Sequence, residues 1–396
     1  MKTNVLILGG GASGLAAAIE AARCGASVTV LEKLDRVGKK ILATGNGRCN
    51  LLNIHASPAD YNDPDFVGRI FGFYGVESNL AFFRTMGLLT TTDSEGRVYP
   101  RSLAASTVLD VLRFEAARLG VTFLCGEAAE TVQKENVGFV VNRKYRADTV
   151  IVACGGKAAP AQGSDGSGYK LLQSFGHKIT PLRPALVQLR TETDFVKQLK
   201  GLRTTAALTL GAHRSDGEIL FTDYGLSGIA AMELSRYAKD GAKLCIDLLP
   251  EYSEQAVFAL LCEAAKRGGS RPAEQLLTGI LQNRIAQALL KSAGLCLSAP
   301  CETLTAHDLQ SLAQTVKQKS VRVLGTKGFP DAQVTAGGAE ISGFTDTLES
   351  RYAPGLFAAG EILNIDGKCG GYNLTFAWSS GRLSGASAAR KREHHD

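Results

Sequence analysis

The sequence predicts an α/β protein built on a parallel, doubly wound nucleotide-binding sheet, with an antiparallel β insert and a helical insert interrupting the chain. Three observations predict it. The opening "NVLILGGGASGLAAAIEAARCGASVTVLEK" reads as strand, glycine turn, helix and second strand. Two later runs, "DTVIVACGG" and "GLFAAGE", are apolar and end in small residues, as parallel strands do where their carboxyl edge must admit a ligand. Between these runs the hydrophobic period changes from strand-like to helical.

Val5, Leu6, Ile7 and Leu8 are apolar without alternation, as a strand covered on both faces must be, and Ser13 to Arg23 reads as a helix of small side chains. Gly9, Gly11 and Gly14 stand at G-x-G-x-x-G spacing. The first allows the turn, the second lets a pyrophosphate approach the backbone, and the third lets helix pack closely on strand. The next strand ends in Glu32, 18 residues after Gly14, where a carboxylate accepts hydrogen bonds from an adenosine ribose and repels a 2′-phosphate. The motif predicts a dinucleotide and leaves NAD and FAD as alternatives.

Arg36 to Asn50, "RVGKKILATGNGRCN", follows at once and combines glycines with Lys39, Lys40 and Arg48, a loop suited to run close to an anionic ligand. At the other end, "AAGEILNIDGKCGGYNLTFAWSSG" pairs a strand end with Gly370-Gly371 and a helix starting near Asn373, whose N-terminus favours negative charge on a ring beneath it. A bound flavin accounts for both segments together. The predicted divisions are a discontinuous nucleotide-binding domain over 1–185 and 343–396, an inserted β domain over 186–252 and 321–342, and a helical subdomain over 253–320.

At 396 residues the chain is long enough for two or three domains, and 44 basic against 38 acidic residues give a mild +6, which does not point to nucleic acid. No apolar run approaches the ~20 residues that span a bilayer, so neither a membrane anchor nor a signal peptide is expected. Nine cysteines without paired spacing suit a reducing cytoplasm; of six histidines two fall in the terminal "KREHHD", and no metal-ligand cluster is predicted.

The segments "GGGASGLAAA", "GKKILATGNGRCN", "GSDGSGYKLLQSFGH", "PALVQL", "FTDYGLSGIAAMELSR" and "GEILNIDGKCGGYNLTFAWSSG" together resemble the BaiN/YhiN-like flavoproteins, a group with enzymes described as bile-acid enone reductases and as aminoacetone oxidases. The likeness covers nearly the whole chain. It implies a Rossmann-like FAD-binding domain of the two-dinucleotide-binding-fold type, with an inserted antiparallel β domain and a helical subdomain. Gly9, Gly11, Ala12, Ser13 and Gly14 would then meet the pyrophosphate, and Glu32 with Lys33 the adenosine. Lys39, Asn46 and Asn50 would line the pyrophosphate and ribityl region, and the backbone of Ala129 the adenine. Gly360, Glu361, Gly371, Asn373 and Leu374 would close over the ribityl chain and flavin, and Gly155 would also contact the cofactor. Where the family often carries a histidine after the Phe-Thr of the "GLSG" segment, this chain has Asp223.

The chain lacks the redox cysteine pair that disulfide reductases carry after the acidic residue, and "GSDGSG" lacks the strand and acid of a second nucleotide motif, so a nicotinamide donor would dock only transiently. Two reactions stay open. Reduced FAD could deliver hydride to a polarised C=C with NADH or NADPH as donor, or oxidised FAD could take hydride from an amine and be reoxidised by O2. The apolar "DYGLSGIAAM" favours a bulky neutral small-molecule substrate and hence the reductase, with Arg48, Cys49, Tyr224 and Tyr372 as the polar groups expected nearest the ring. An RNA-acting flavoprotein is the reading from another class. Heat or acid release from the purified protein is expected to yield non-covalent FAD, identified by chromatography; recovery of FMN or NAD would refute the cofactor assignment.

Overall fold

The computed structural model describes residues 2–391, so His394 and His395 lie outside the described residues. The chain forms two units. One comprises the chain up to Pro184 and from Ala332 onward, and the other is Ala185–Asp331. Sequence patterning put the return to the first unit at Gly343; the segment from Ala332 already belongs to it. Lys319–Thr326 does join the inserted sheet, whereas the strand Val334–Ala336 falls in the first unit.

In the first unit the strand Lys2–Leu8 is central, parallel to Val28–Glu32 on one side and to Tyr145–Val152 on the other. Thr122–Cys125 extends the sheet beyond Val28–Glu32, and Leu356–Ala358 pairs in parallel with the end of Tyr145–Val152. Phe139–Val141 and Val132–Lys134 complete the seven-stranded sheet as an antiparallel meander. Along the central strand Val5 and Ile7 enter one hydrophobic core and Leu6 and Leu8 another, all fully buried. Both faces are therefore covered, which is why the run lacks alternation. Each such side chain contributes about 1.5–3 kcal/mol by burial.

The helices Ala12–Arg23 and Tyr372–Arg390 pack against each other at backbone distance. A Cβ on Gly381 would stand 2.3 Å from the Ser13 carbonyl oxygen, and one on Gly385 would stand 2.3 Å from that of Ala17. Arg382, buried between them, donates to Glu20 at 3.0 Å and to the Ser78 carbonyl at 2.9 Å, with its guanidinium 4.1 Å from the Tyr74 ring centre. The two helices are thereby fixed in one register.

The second unit is a closed antiparallel barrel in the order Leu189–Thr191, Gly225–Ser227, His213–Phe221, Arg203–Leu210, Lys243–Asp247, Lys319–Thr326. The short strand Leu189–Thr191 pairs with both Gly225–Ser227 and Lys319–Thr326, so the expected small sheet closes on itself and leaves no edge. The helices Glu254–Gly268, Asn283–Ser292 and Ala306–Lys317 contribute Leu261, Leu289 and Leu312 to the same core as the barrel's Leu208 and Ile246. The β and helical parts, predicted as separate domains, thus share one core. Ala230 and Ala231 of "DYGLSGIAAM", expected to line a substrate pocket, are fully buried in that core instead. Among the described residues no helix is long and apolar enough to cross a membrane, and no group of three or more His, Cys, Asp or Glu side chains could hold a metal ion.

Gly381→Ala is expected to lower stability by about 1–3 kcal/mol through overpacking against the Ser13 carbonyl. Gly72→Ala, at a helical glycine whose added Cβ meets nothing within 4 Å, should be neutral or stabilising by up to about 1 kcal/mol. Thermal denaturation of the two variants side by side checks the contrast.

Candidate functional site

The carboxyl ends of the parallel strands meet at one edge of the first unit. Leu8 leads into Gly9, Val152 into Ala153, Ala358 into the turn at Gly360, and Val28–Glu32 ends there in its carboxylate. In doubly wound sheets this edge, where neighbouring crossovers diverge, is where a nucleotide binds.

The three motif glycines have separable reasons. Gly9 has φ +105° and its Cβ would lie 2.5 Å from the Ala153 carbonyl, so it is fixed by the turn. Gly14 would put a Cβ 1.9 Å from the Gly9 carbonyl, so it is fixed by helix-on-strand packing. Gly11 has an ordinary φ of −79° and nothing within 4 Å of an added Cβ. The protein itself gives no reason for glycine at this position. A ligand backed against the first turn of Ala12–Arg23 does, and the orphan N–H groups of that turn suit a diphosphate. Ala12 and Ser13 sit in this turn, with the Ser13 hydroxyl on the Ala359 carbonyl at 3.3 Å. Glu32 is aimed by two backbone N–H groups, Gly10 to Oε2 and Leu34 to Oε1, both at 2.9 Å, and each oxygen keeps accepting capacity for ribose hydroxyls. Ala129 lies on the loop after Thr122–Cys125, which is tied to the same strand end by Glu127 N–H donating to the Glu32 carbonyl at 3.0 Å. These residues fit an adenosine diphosphate moiety.

Several predicted ligand residues are instead committed within the chain. Lys33 pairs with Asp165 at 2.7 Å; burial opposes ionisation of Asp165, but Lys33 and Ser167 outweigh it and bring the carboxyl down to about 2. Lys39, at the start of a short helix, pairs with Asp35 four residues earlier at 3.2 Å. Glu361 joins distant segments, accepting from Lys40 at 2.9 Å and from Thr335 N–H at 2.9 Å. Gly155 packs on Ser164, whose hydroxyl would be 2.6 Å from an added Cβ, and Gly360 packs on the Ser13 hydroxyl at 2.5 Å. The Asn373 amide accepts from Gly367 N–H at 2.9 Å and donates to the carbonyls of Gly367 and Lys368, both at 3.1 Å. Asn50, with its amide oriented to satisfy both ends, accepts from Gly371 N–H and donates to the Leu52 carbonyl at 3.2 Å each. Leu374 packs on the helical core of this unit.

Gly371 caps the last helix at φ +99°, and its Cβ would lie 2.5 Å from the Leu52 carbonyl carbon. Its smallness, expected for approach to a ring, is required by the protein's own backbone. Of the polar groups expected at the flavin, Cys49 is fully buried and burial pushes its thiol up to about 11, so it is a packing residue rather than an acid or nucleophile. Tyr224 belongs to the second unit, beneath the Lys327 ammonium at 4.6 Å. Tyr372 opens the last helix, edge-on to Tyr61 at 6.4 Å. Arg48 is exposed, with its guanidinium 5.6 Å from the Tyr99 ring centre, and with Asn46 (φ +55°) it lines a cleft of about 350 Å³. The far wall of this cleft, the hairpin of Thr90–Thr92 and Arg97–Pro100, was not predicted as part of the site. Its signal was present in "TTTDSEGRVYP", two strand-forming runs around a turn. Thr335 was also missed: it is buried, and its hydroxyl accepts from Lys157 N–H at 2.8 Å and Ala158 N–H at 2.9 Å, holding the chain after Gly155.

Gly11→Val should fold with near-native thermal stability yet lose bound flavin, because its branched side chain fills the cradle. Gly14→Val should lose stability by several kcal/mol or fail to fold, because it strikes the Gly9 carbonyl. Flavin absorbance per protein, measured with thermal denaturation, separates the two; full flavin occupancy in folded Gly11→Val would remove the diphosphate from this turn.

The family description "HI0933-like protein Rossmann domain" matches residues 3–387. The chain is 39% identical over 404 residues to the 3-dehydro-bile acid delta(4,6)-reductase of Clostridium scindens, covering 97% of this chain and 98% of that one. It is 28% identical over 399 residues to the ribosomal RNA dihydrouridine synthase of Haemophilus influenzae, with 98% of each chain covered. The solved 3-ketosteroid delta1-dehydrogenase of Sterolibacterium denitrificans shares the fold at a TM-score of 0.51 and 12% identity, over 98% of this chain and 100% of that one. The chain belongs to the HI0933-like Rossmann family and is a flavin-dependent oxidoreductase.

Proposed function

We propose that the protein uses FAD to reduce a C=C bond conjugated to a carbonyl in a bulky, steroid- or bile-acid-like enone, with NADH or NADPH as a transient donor. The likeness to the bile-acid delta(4,6)-reductase over nearly the whole of both chains carries this reading. The dihydrouridine synthase relatives support the direction of the chemistry, because the uracil C=C that their name implies is also conjugated to a carbonyl. Both are reductions of a polarised double bond, and this weighs against amine oxidation.

Bound FAD supplies the two-electron hydride chemistry at this site. The chain's residues do the rest. The turn Gly9–Gly14 and the first turn of Ala12–Arg23 take the diphosphate, and Glu32 takes the ribose. The N-terminus of Tyr372–Arg390, held by Asn50 and the Leu52 backbone, presents its dipole where negative charge is favoured. The proton that completes the reduction comes from a tyrosine hydroxyl or from solvent, and Tyr372, at the mouth of that helix, is the tyrosine we assign to it.

An RNA substrate is the second reading, favoured by the dihydrouridine synthase relatives. Several basic residues of the second unit are committed within the chain, which supports the small molecule. Arg214 pairs with Asp216 at 2.9 Å, Lys200 with Asp223 at 2.6 Å and Lys317 with Asp247 at 2.8 Å, while Arg203 is held by Glu218. Arg271 of "KRGGSRP" donates to the carbonyls of Arg267 and Gly268. Cations held in this way are less available to neutralise phosphates. The expected result on anaerobic mixing is bleaching of the flavin by NADH or NADPH and recolouring by a 3-oxo-4-ene steroid. Bleaching by an amine with recolouring only by O2, or a salt-sensitive RNA gel shift with no steroid turnover, would overturn the proposal.

A further inference from the structure

We infer that the cleft between the loop Gly45–Arg48 and the hairpin Thr90–Pro100 is an oxyanion site, with Arg48 as the residue that selects ligands bearing a carboxylate or phosphate. Arg48 makes no hydrogen bond or ion pair through its guanidinium among the described residues, and its guanidinium lies over the Tyr99 ring at 5.6 Å. Stacking on a ring orients the guanidinium plane while leaving its N–H fork available for bidentate binding.

The remaining charges make this cleft selective for anions. Its one carboxylate, Asp93, is consumed by the hairpin: Oδ2 accepts from Arg97 Nε at 2.8 Å, and Oδ1 accepts from Arg97 N–H and Glu95 N–H at 3.0 Å each. Among the lining residues Arg97 and Asp93 therefore cancel and Arg48 is the surplus positive charge, while Glu95, at the hairpin turn and near Arg97, does not line the cleft. Asn46, Thr91 and Thr92 also line this space, and their side chains make no hydrogen bond among the described residues, so those that face the cleft add neutral donors. Asn46 at φ +55° and Leu103 at φ +54°, both lining the cleft, hold left-handed backbone, a cost that non-glycine residues carry where a binding surface is pre-shaped. At about 350 Å³ the space takes one charged end of a larger molecule.

Two molecules of the proposed reaction carry such a group: a substrate ending in a carboxylate, and the diphosphate of a nicotinamide donor. The substrate source rests on the reductase reading; the oxyanion site does not. The test is calorimetric binding to the FAD-loaded protein, which needs no turnover. The probes are a saturated steroid carboxylic acid, its methyl ester, and ADP-ribose with adenosine as the uncharged control. Wild type should prefer one charged probe over its uncharged counterpart by about ten- to hundredfold, the range of a charge-assisted hydrogen bond. Arg48→Leu should bring that preference near parity, and Arg48→Lys, which keeps the charge without the fork, should fall between. Because Arg48 is exposed, the melting temperature should stay at the wild-type value in both variants, the preference being compared on samples matched in flavin occupancy, and Arg113→Leu, at an arginine outside the cleft, should retain the full preference.

Loss confined to the steroid acid assigns the oxyanion to the substrate, and loss confined to ADP-ribose assigns it to the donor. Equal binding of charged and uncharged probes to wild type, or an unchanged preference in Arg48→Leu, overturns the inference. Preference for the acid in a protein whose reduced flavin leaves every enone untouched would remove the reductase reading and keep this site.

Discussion

Backbone-to-backbone approach of the first and last helices is the constraint on which the rest of the first unit depends. Gly14 on the Gly9 carbonyl, Gly381 on that of Ser13 and Gly385 on that of Ala17 leave no room for a side chain. Close packing of this kind tolerates no intermediate spacing. It joins segments far apart in sequence into one layer and brings the start of each helix to the same edge of the sheet. The buried Arg382–Glu20 pair, satisfied further by Ser78 and Asn79, prevents one helix from sliding along the other. A buried ion pair adds little net stability, but its geometry admits one register.

From that register follows the division of labour among the polar residues of the site. Those the family pattern assigns to the cofactor fall into two groups. Gly11 and Glu32 face a space the protein leaves open or accept further bonds there. Glu361, Asn373, Asn50 and Lys33 are bound to other parts of the chain and hold the loops that define that space. A dinucleotide needs many backbone contacts held rigidly, so a site for it requires more residues to brace loops than to touch ligand.

The loop Thr44–Asn50 shows how one short segment serves both ends. Cys49, itself in left-handed backbone, is drawn into the core with Leu51 and Leu52, while the residues just before it stay exposed. Asn46 takes left-handed backbone, and Arg48 is left exposed over Tyr99. The inertness of Cys49 and the availability of Arg48 reflect the burial of one and the exposure of the other.

The sequence alone determined whatever depends on local chemistry and period. The strand–turn–helix with its motif glycines, Glu32 at the next strand end, the strands before Ala153 and Ala359, and the change from alternating to helical pattern after Leu249 are all legible, because each is a short-range signal of backbone and burial. Tertiary structure decided the rest. Closure of the inserted strands into a barrel sharing a core with its helices depends on pairings between distant residues, such as Leu189 with Thr326. The commitment of Glu361 to Lys40, the burial of Cys49 beside the exposure of Arg48, and the packing of Gly371 against Leu52 depend on which remote atoms arrive nearby. Residue type says what a side chain can bond to, and only the folded chain says which partner reaches it first.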